Sequence, residues 1–339
     1  MSFFSKELGI DLGTMNTRLA DSTQVLVNEP TIVAIEVDDE KGTEKLVSVG
    51  QEALNMFGRV PDNIEVARPL KHGVIADYVV TESLLSYLLQ RVSGSMRIFR
   101  PRVMISVPYG VTSVERRAVY EAALEAGSRE VHLIQQTLAA ALGIDLPIGA
   151  PSGNMVISLG GGATEASVMA MYGIVSAETL RAGGLDFDEA IITYVRRKYG
   201  VLIGQATAEQ LKIRIGAAVP QDQEQSMEVQ GQDQVTGLPR PVTLTTGEIV
   251  EALQDPLKDI VETGRRVLEK TPPELVSDII DRGVALCGGG ALLRGIDKLL
   301  TKSLGIPAYL VDNPLTCVVE GTVRGIELYP VLQRNLPKV

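Results

Sequence analysis

Three short glycine-rich stretches carry residue types that can hold phosphate. The first is Gly9-Ile10-Asp11-Leu12-Gly13-Thr14-Met15-Asn16-Thr17, an apolar strand that runs into a turn of Gly, Thr and Asn. Glycine lets the backbone come close to a ligand, and successive amides at such a turn form a nest for phosphate oxygens. Thr14 and Asn16 can add side-chain donors. Asp11, at the strand end, can hold Mg²⁺ through water, because that ion keeps most of its waters. Taken alone, the stretch also reads as an ordinary β-hairpin with an Asn turn. The second is Ser158-Leu159-Gly160-Gly161-Gly162-Ala163-Thr164-Glu165, again strand, glycine turn, strand. Alone it reads equally as a flexible loop or a bulge. In the third, Leu286-Cys287-Gly288-Gly289-Gly290-Ala291-Leu292, a strand leads through three glycines toward a helix start. A helix N-terminus attracts phosphate, and flat glycine backbone can lie against a purine ring. None of the three has the spacing of a P-loop or a Rossmann turn. Three such turns, each behind a buried strand, are harder to explain by coincidence than any one.

The elements that must position these turns follow from pattern. β-Branched runs at 8–12, 24–27, 31–37 and 46–49 read as strands. At 81–92, Leu84, Leu85, Leu88, Leu89 and Val92 share one helical face, with Thr81 as the expected N-cap. A strand at 102–107 ends at Pro108. Thr112 and Glu115 then form a capping box, and Gly127 suits the position just past that helix. A strand at 130–134 and a helix at 136–143 close the first half. The Pro-, Gly- and Ser-rich stretch 147–153 marks a lobe boundary. Strands at 155–158, 165–170 and 174–178 follow, then helices at 187–199 and 208–217. Strands at 226–230 and 241–245 flank a turn, and one long helix at 247–269 stops before Pro272-Pro273. A buried strand at 283–287 and a helix at 292–304 come last. Each half reads as a mixed sheet covered by helices, so the chain is α/β with a weak internal duplication.

Bulk properties narrow the function. A chain of 339 residues suggests two domains or one two-lobed body. A net charge of −10 argues against a nucleic-acid binder, which usually carries a basic domain. Two cysteines and two histidines, none in a metal spacing, argue against structural zinc or a histidine-based triad. No secretory leader pattern opens the chain, and no uncharged apolar run approaches about 18 residues. The expected location is the cytoplasm.

In this order, the three turns resemble the superfamily of actin, the ATP-driven chaperones and the sugar kinases. Longer stretches narrow the resemblance: Val27-Asn28-Glu29-Pro30, Arg68-Pro69-Leu70-Lys71-His72-Gly73, Val235-Thr236-Gly237-Leu238-Pro239, Thr271-Pro272-Pro273-Glu274-Leu275 and Asp312-Asn313-Pro314-Leu315-Thr316-Cys317 look like the bacterial actins of the MreB/Mbl cell-shape family. The resemblance covers nearly the whole chain. It implies an actin-like two-lobed fold, a duplicated ribonuclease-H-like mixed sheet flanked by helices, with a nucleotide cleft between the lobes. The lobes would be 1–150, with an insertion at approximately 30–75, and 151–339, with an insertion at approximately 186–250. The resemblance also implies ATP and Mg²⁺ as ligands, self-assembly into filaments on the inner membrane face, and work with the cell-wall elongation machinery and its membrane adaptor. Thr14, Met15 and Asn16 would form the first phosphate hairpin, and Gly160, Gly161 and Gly162 the second. Gly288, Gly289, Gly290 and Ala291 would line the adenosine side, together with the helix carrying Glu209, Gln210, Leu211 and Lys212. From residue types alone, Glu209 and Lys212 are only an i,i+3 surface pair.

The departures from the family fall on the chemistry. The family usually reads Glu-Glu-Pro where this chain has Gln135-Gln136-Thr137. Gln136 stands where a glutamate would orient the attacking water. A glutamine can hold water but cannot act as a general base near neutral pH. Ser158 stands for an aspartate near the expected Mg²⁺, and Ala163 for a threonine hydroxyl. Phosphoryl transfer depends on such positioning, so binding is expected to survive while hydrolysis slows. Phe3, Phe4, Met96, Ile98 and Phe99, beside Lys6, Arg97 and Arg100, suit contact with an anionic bilayer surface. The rival readings are a degenerate paralogue that modulates another filament, and a small-molecule kinase of the same fold. The kinase reading needs an acid/base carboxylate beyond Asp11, and the sequence offers no motif for one.

Overall fold

The apolar strand that opens the chain, Glu7–Leu12, lies at the centre of a five-stranded sheet in the computed structural model, which describes residues 6–38, 43–93 and 100–338. The sheet order is Glu130–Gln135, Arg102–Val107, Glu7–Leu12, Asn16–Ala20, Val25–Pro30. The first three strands are parallel, and the last two continue as antiparallel hairpins. Leu8, Ile10, Val103 and Ile105 are fully buried, as expected of parallel strands covered on both faces. Leu84, Leu85 and Leu88 of the helix Tyr78–Ser93 pack into the same core with Val119 and Ala122 of Ser113–Glu125. The helix Cys317–Glu327 packs on Glu7–Leu12 and on the helix Gln136–Gly143. A small three-stranded sheet, Thr43–Val49, Val33–Asp38, Ile64–Ala67, stands beside it with a core of Ile32, Ala34 and Ala53.

Capping explains where two of these helices begin. The box at Thr112 and Glu115 is present, and Gly127 follows the helix with a φ of 111°. The earlier helix starts at Tyr78, not after Thr81. The Asp77 carboxylate accepts from the Val80 amide at 3.0 Å, and the Thr81 hydroxyl donates to the Asp77 carbonyl at 2.6 Å. Asp77 therefore caps, because its carboxylate reaches the third amide on, and Thr81 lies within the first turn.

The second unit repeats the strand order: Gly173–Leu180, Thr164–Ala170, Asn154–Leu159, Val284–Cys287, Ala308–Leu310. Here too a meander of three strands is followed by two parallel additions. Met171 and Tyr172, both at positive φ, make the two-residue turn between Thr164–Ala170 and Gly173–Leu180. A three-stranded sheet of Val201–Leu202, Ser226–Asp233 and Pro239–Thr245 is inserted after the helix Gly184–Tyr199. The long helix expected at 247–269 is two helices, Thr246–Ala252 and Gln254–Glu269. Pro256 is the reason: it has no amide to return to the Ala252 carbonyl.

The two units are not contiguous in sequence. The second comprises Gly153–Val168 and Ser176–Pro314, and the first takes in Met169–Val175 and the chain from Leu315 onward. The sequence reading kept 151–339 together. The difference arises because the helix Cys317–Glu327 buries Val319 and Val323 against Ala20 of the first sheet, a packing choice that local pattern does not encode.

Candidate functional site

The first turn hangs from the buried end of Glu7–Leu12. The Gly13 amide donates to the Asn16 carbonyl at 3.2 Å, and the Thr31 amide to the Met15 carbonyl at 2.8 Å. The Thr31 hydroxyl donates to the Gly13 carbonyl at 2.7 Å and lies 2.8 Å from the Thr17 hydroxyl. Thr14 is buried, and its hydroxyl accepts the Gly73 amide at 2.9 Å. That leaves the hydroxyl proton available to a phosphate oxygen. Met15 and Asn16 are half-buried at the same turn. The sequence reading did not connect Gly73 with this turn. His72 and Gly73, both at positive φ, form the two-residue turn between Leu70–Lys71 and Val74–Ile75. The His-Gly pair between apolar residues was the available signal.

Asp11 lies three residues before Thr14 and is 6% exposed. The Ser106 hydroxyl donates to one carboxylate oxygen at 2.9 Å, and Arg18 Nη1 lies 3.4 Å from the other. Burial pushes this carboxyl above the ordinary range, against the pull of the Arg18 guanidinium and the Ser106 hydroxyl. Among the described residues no three metal-ligating side chains cluster. One carboxylate, already held by a guanidinium, fits an outer-sphere contact to a hydrated ion and no more.

The second turn follows Asn154–Leu159, every residue of which is buried. The Gly160 amide donates to the Ala163 carbonyl at 2.9 Å. The carbonyls of Gly160 and Gly161 accept the amides of Gly184 and Leu185 at 3.0 and 2.8 Å. The turn is thus bonded to the start of the helix Gly184–Tyr199, whose Asp186 carboxylate caps the Gly183 amide at 2.7 Å. Lys212 Nζ donates to the Gly184 carbonyl at 2.8 Å and pairs with Asp188 at 2.7 Å. The third turn lies against the same strand end. Gly288 has a φ of 84°, and a Cβ there would come within 2.4 Å of the Leu159 carbonyl oxygen. Only glycine takes this path without strain.

Several sequence expectations change here. Gly289–Leu292 is a 3₁₀ turn, and the α-helix begins later, at Ile296–Leu304. The third turn therefore offers glycine backbone rather than an α-helix N-terminus. Glu209 and Lys212 are half-buried, Gln210 is exposed, and Leu211 is fully buried in the core of the second unit. The sequence reading did not connect Gly183, Gly184 or Asp188 with the second turn; for the first two, a Gly-Gly pair opening a helix was the available signal.

These features amount to two glycine turns at equivalent places in two sheets of the same strand order. The family model for MreB/Mbl protein matches residues 5–333. The chain belongs to the MreB/Mbl family. Cell shape-determining protein MreB of Escherichia coli K12 is 48% identical over 327 residues, covering 96% of this chain and 94% of that protein. The crystal structure of MreB5 of Spiroplasma citri bound to AMPPNP matches with a TM-score of 0.90 at 34% identity, covering 98% of each chain. The MamK double helical filament matches at 0.79, with 18% identity, over 95% of this chain and 98% of that one. The fold is the actin-like one of the MreB/Mbl family.

Within this family fold, the Asp188–Lys212 pair makes a sharp prediction. Asp188 is 1% exposed and the Lys212 side chain 16%. Asp188→Ala leaves a nearly buried ammonium without its partner and is expected to cost about 3 kcal/mol. The double variant with Lys212→Met should lose clearly less, because no charge is stranded. Urea unfolding of the three proteins checks this. Equal losses for single and double variants would show that the pair is not coupled.

Proposed function

We propose that the chain binds ATP through the first and second glycine turns and polymerises into filaments that help determine cell shape by organising cell-wall synthesis. The observation that carries the reading is the pair of turns, each behind the buried end of a strand and each braced by a second element. Gly73 braces the first and the Gly183–Gly184 helix start the second. Thr14 and Asn16 would donate to phosphate oxygens, and Gly160, Gly161 and Gly162 would present backbone to them. Lys212 would place its charge beside the second turn, and Gly288, Gly289, Gly290 and Ala291 would lie against the purine. The MreB5 crystal structure with AMPPNP and the identity to MreB support this assignment. Mg²⁺ would enter with the phosphates and offset their charge, with Asp11 as an outer-sphere contact.

Hydrolysis would be slow, since Gln136 and Ser158 supply no carboxylate, and Ala163 no hydroxyl, at the family's usual positions. The filament would lie on the inner face of the cell membrane, with the elongation machinery and its adaptor as partners. The side chains expected to touch lipid, Phe3, Phe4, Met96, Ile98 and Phe99, lie outside the described residues. Among the described residues no helix is long and apolar enough to cross a membrane.

Sedimentation against protein concentration, with and without Mg-ATP, tests this reading, with anionic liposomes in parallel. A pellet above a threshold concentration that needs nucleotide is the expected result. Nucleotide binding with no pellet under any condition would favour the second reading, a degenerate paralogue acting on another filament. No nucleotide binding would overturn both.

A further inference from the structure

The pairing of Arg18 with Asp11 follows from sheet register. Asp11 sits directly opposite Arg18 in the antiparallel hairpin and directly opposite Ser106 in the parallel pair. All three side chains therefore stand on one face of the sheet, side by side. Side-chain exposure is 12% for Arg18 and 8% for Asp11, so this is a nearly buried pair and not a solvated one. The guanidinium is not consumed by it: Arg18 Nε is buried with no hydrogen-bond partner.

The position of the pair gives it a consequence. Asp11 ends the strand that carries the Gly13–Thr14 turn, where phosphate oxygens are proposed to bind. A bare carboxylate there repels a nucleoside di- or triphosphate unless a divalent cation stands between them. A carboxylate paired with a guanidinium presents no net charge. Arginine also stays protonated throughout the physiological range.

We propose that Arg18 is a resident counter-cation of the first phosphate turn, so that this chain holds nucleotide with little dependence on Mg²⁺. The inference rests on the nucleotide reading above. It concerns binding alone, because the guanidinium neutralises Asp11 but offers no hydrated ion to position water.

The test is the affinity for a fluorescent ADP analogue, measured with millimolar Mg²⁺ and again with excess EDTA, for the full-length protein and for Arg18→Leu and Arg18→Lys. The wild type is expected to weaken by less than about threefold on Mg²⁺ removal. Arg18→Leu should weaken by about tenfold or more in EDTA while staying near wild type in Mg²⁺, the effect expected of one uncompensated charge beside the phosphate turn. Arg18→Lys should restore most of the Mg²⁺ independence. A merely structural Arg18 would lower both affinities together and leave their ratio unchanged. That result, or a wild type that loses its nucleotide in EDTA, overturns the inference and leaves the nucleotide reading standing. A wild type that binds in neither buffer overturns the nucleotide reading itself.

Discussion

Gly321→Val is expected to destabilise the first unit by about 3 kcal/mol or more, out of a total that for most domains is about 5–15 kcal/mol. A Cβ at Gly321 would stand 1.7 Å from the Ala139 carbonyl oxygen and 2.8 Å from the Gly143 amide. One at Gly143 would stand 1.9 Å from the Cys317 carbonyl oxygen. The helices Gln136–Gly143 and Cys317–Glu327 thus touch backbone to backbone, and neither carbonyl can move aside as a side-chain tip would. Two more glycines fix the same helix against the sheet. A Cβ at Gly325 would meet Met104 Sδ at 2.5 Å, and one at Gly9 would meet Thr322 Oγ1 at 2.2 Å. Arg324 closes the contact by donating to the Leu142 carbonyl at 2.6 Å and pairing with Asp145. Valine adds two branches at the tightest point, so the helices must separate. Gly204→Ala is the control. A Cβ there meets nothing within 4 Å, and its φ is −80°, so the loss should stay within a few tenths of a kcal/mol to about 1 kcal/mol. Urea midpoints of the two variants decide the matter, and similar midpoints would mean that the helices can part cheaply. Gln136 is the first residue of one of these helices.

The same packing marks the limit of what the sequence could tell. The glycine turns were legible because each combines two local signals, a buried strand and a run of residues that permits close approach. The capping box at Thr112 and Glu115 and the helix Gln136–Gly143 were legible for a similar reason: their determinants lie within a few residues. The split at Leu253 was legible in principle, since Pro256 stands in plain view, but the strong apolar period on both sides masked it. The return of the chain from Leu315 to the first unit was not legible. It depends on Gly321 fitting Ala139 and Gly9 fitting Thr322, contacts spanning some 180 and 310 residues, and a glycine within a helix has no local reason to be there. Site chemistry divides in the same way. Lys212 was named from resemblance, but its partner Asp188 lies 24 residues away on another helix, where an acidic residue looks like ordinary surface. Arg18 was hidden differently: its importance follows from the register that sets it opposite Asp11, which is fixed only once the hairpin length is known.

Restoring the three departures from the family pattern is the second large expected effect. The variant Gln136→Glu, Ser158→Asp, Ala163→Thr is expected to release phosphate on the order of 100-fold faster than the wild type in a single turnover, the lower end of what a positioned general base contributes. Each site can accept its change. Gln136 is half-buried at a helix start, where a carboxylate suits the local amides. Ala163 braces the second turn through its carbonyl, which accepts from Gly160 whatever its side chain. Its position is buried and immediately precedes the strand Thr164–Ala170, where a β-branched residue is at home. Ser158 is the demanding one. It is 1% exposed on a fully buried strand, so an aspartate there is a carboxylate removed from water and is costly unless a cation meets it. The triple variant should therefore unfold more readily than the wild type without ligand and recover with Mg-ATP, because a ligand that binds only the folded state stabilises it by mass action. Ala163→Thr alone should change neither quantity much, since a hydroxyl without a base has no proton acceptor to work with. Phosphate release that stays slow in a triple variant shown to bind Mg-ATP would mean that the departures do not limit hydrolysis. A wild type already as fast as the restored protein would remove the reason to regard Gln136, Ser158 and Ala163 as losses. If release accelerates only when Ser158→Asp is combined with Mg²⁺, the missing element is the carboxylate that orients the hydrated ion. The wild type would then be a binder whose first turn is neutralised by Arg18 and whose second turn has given up its charge.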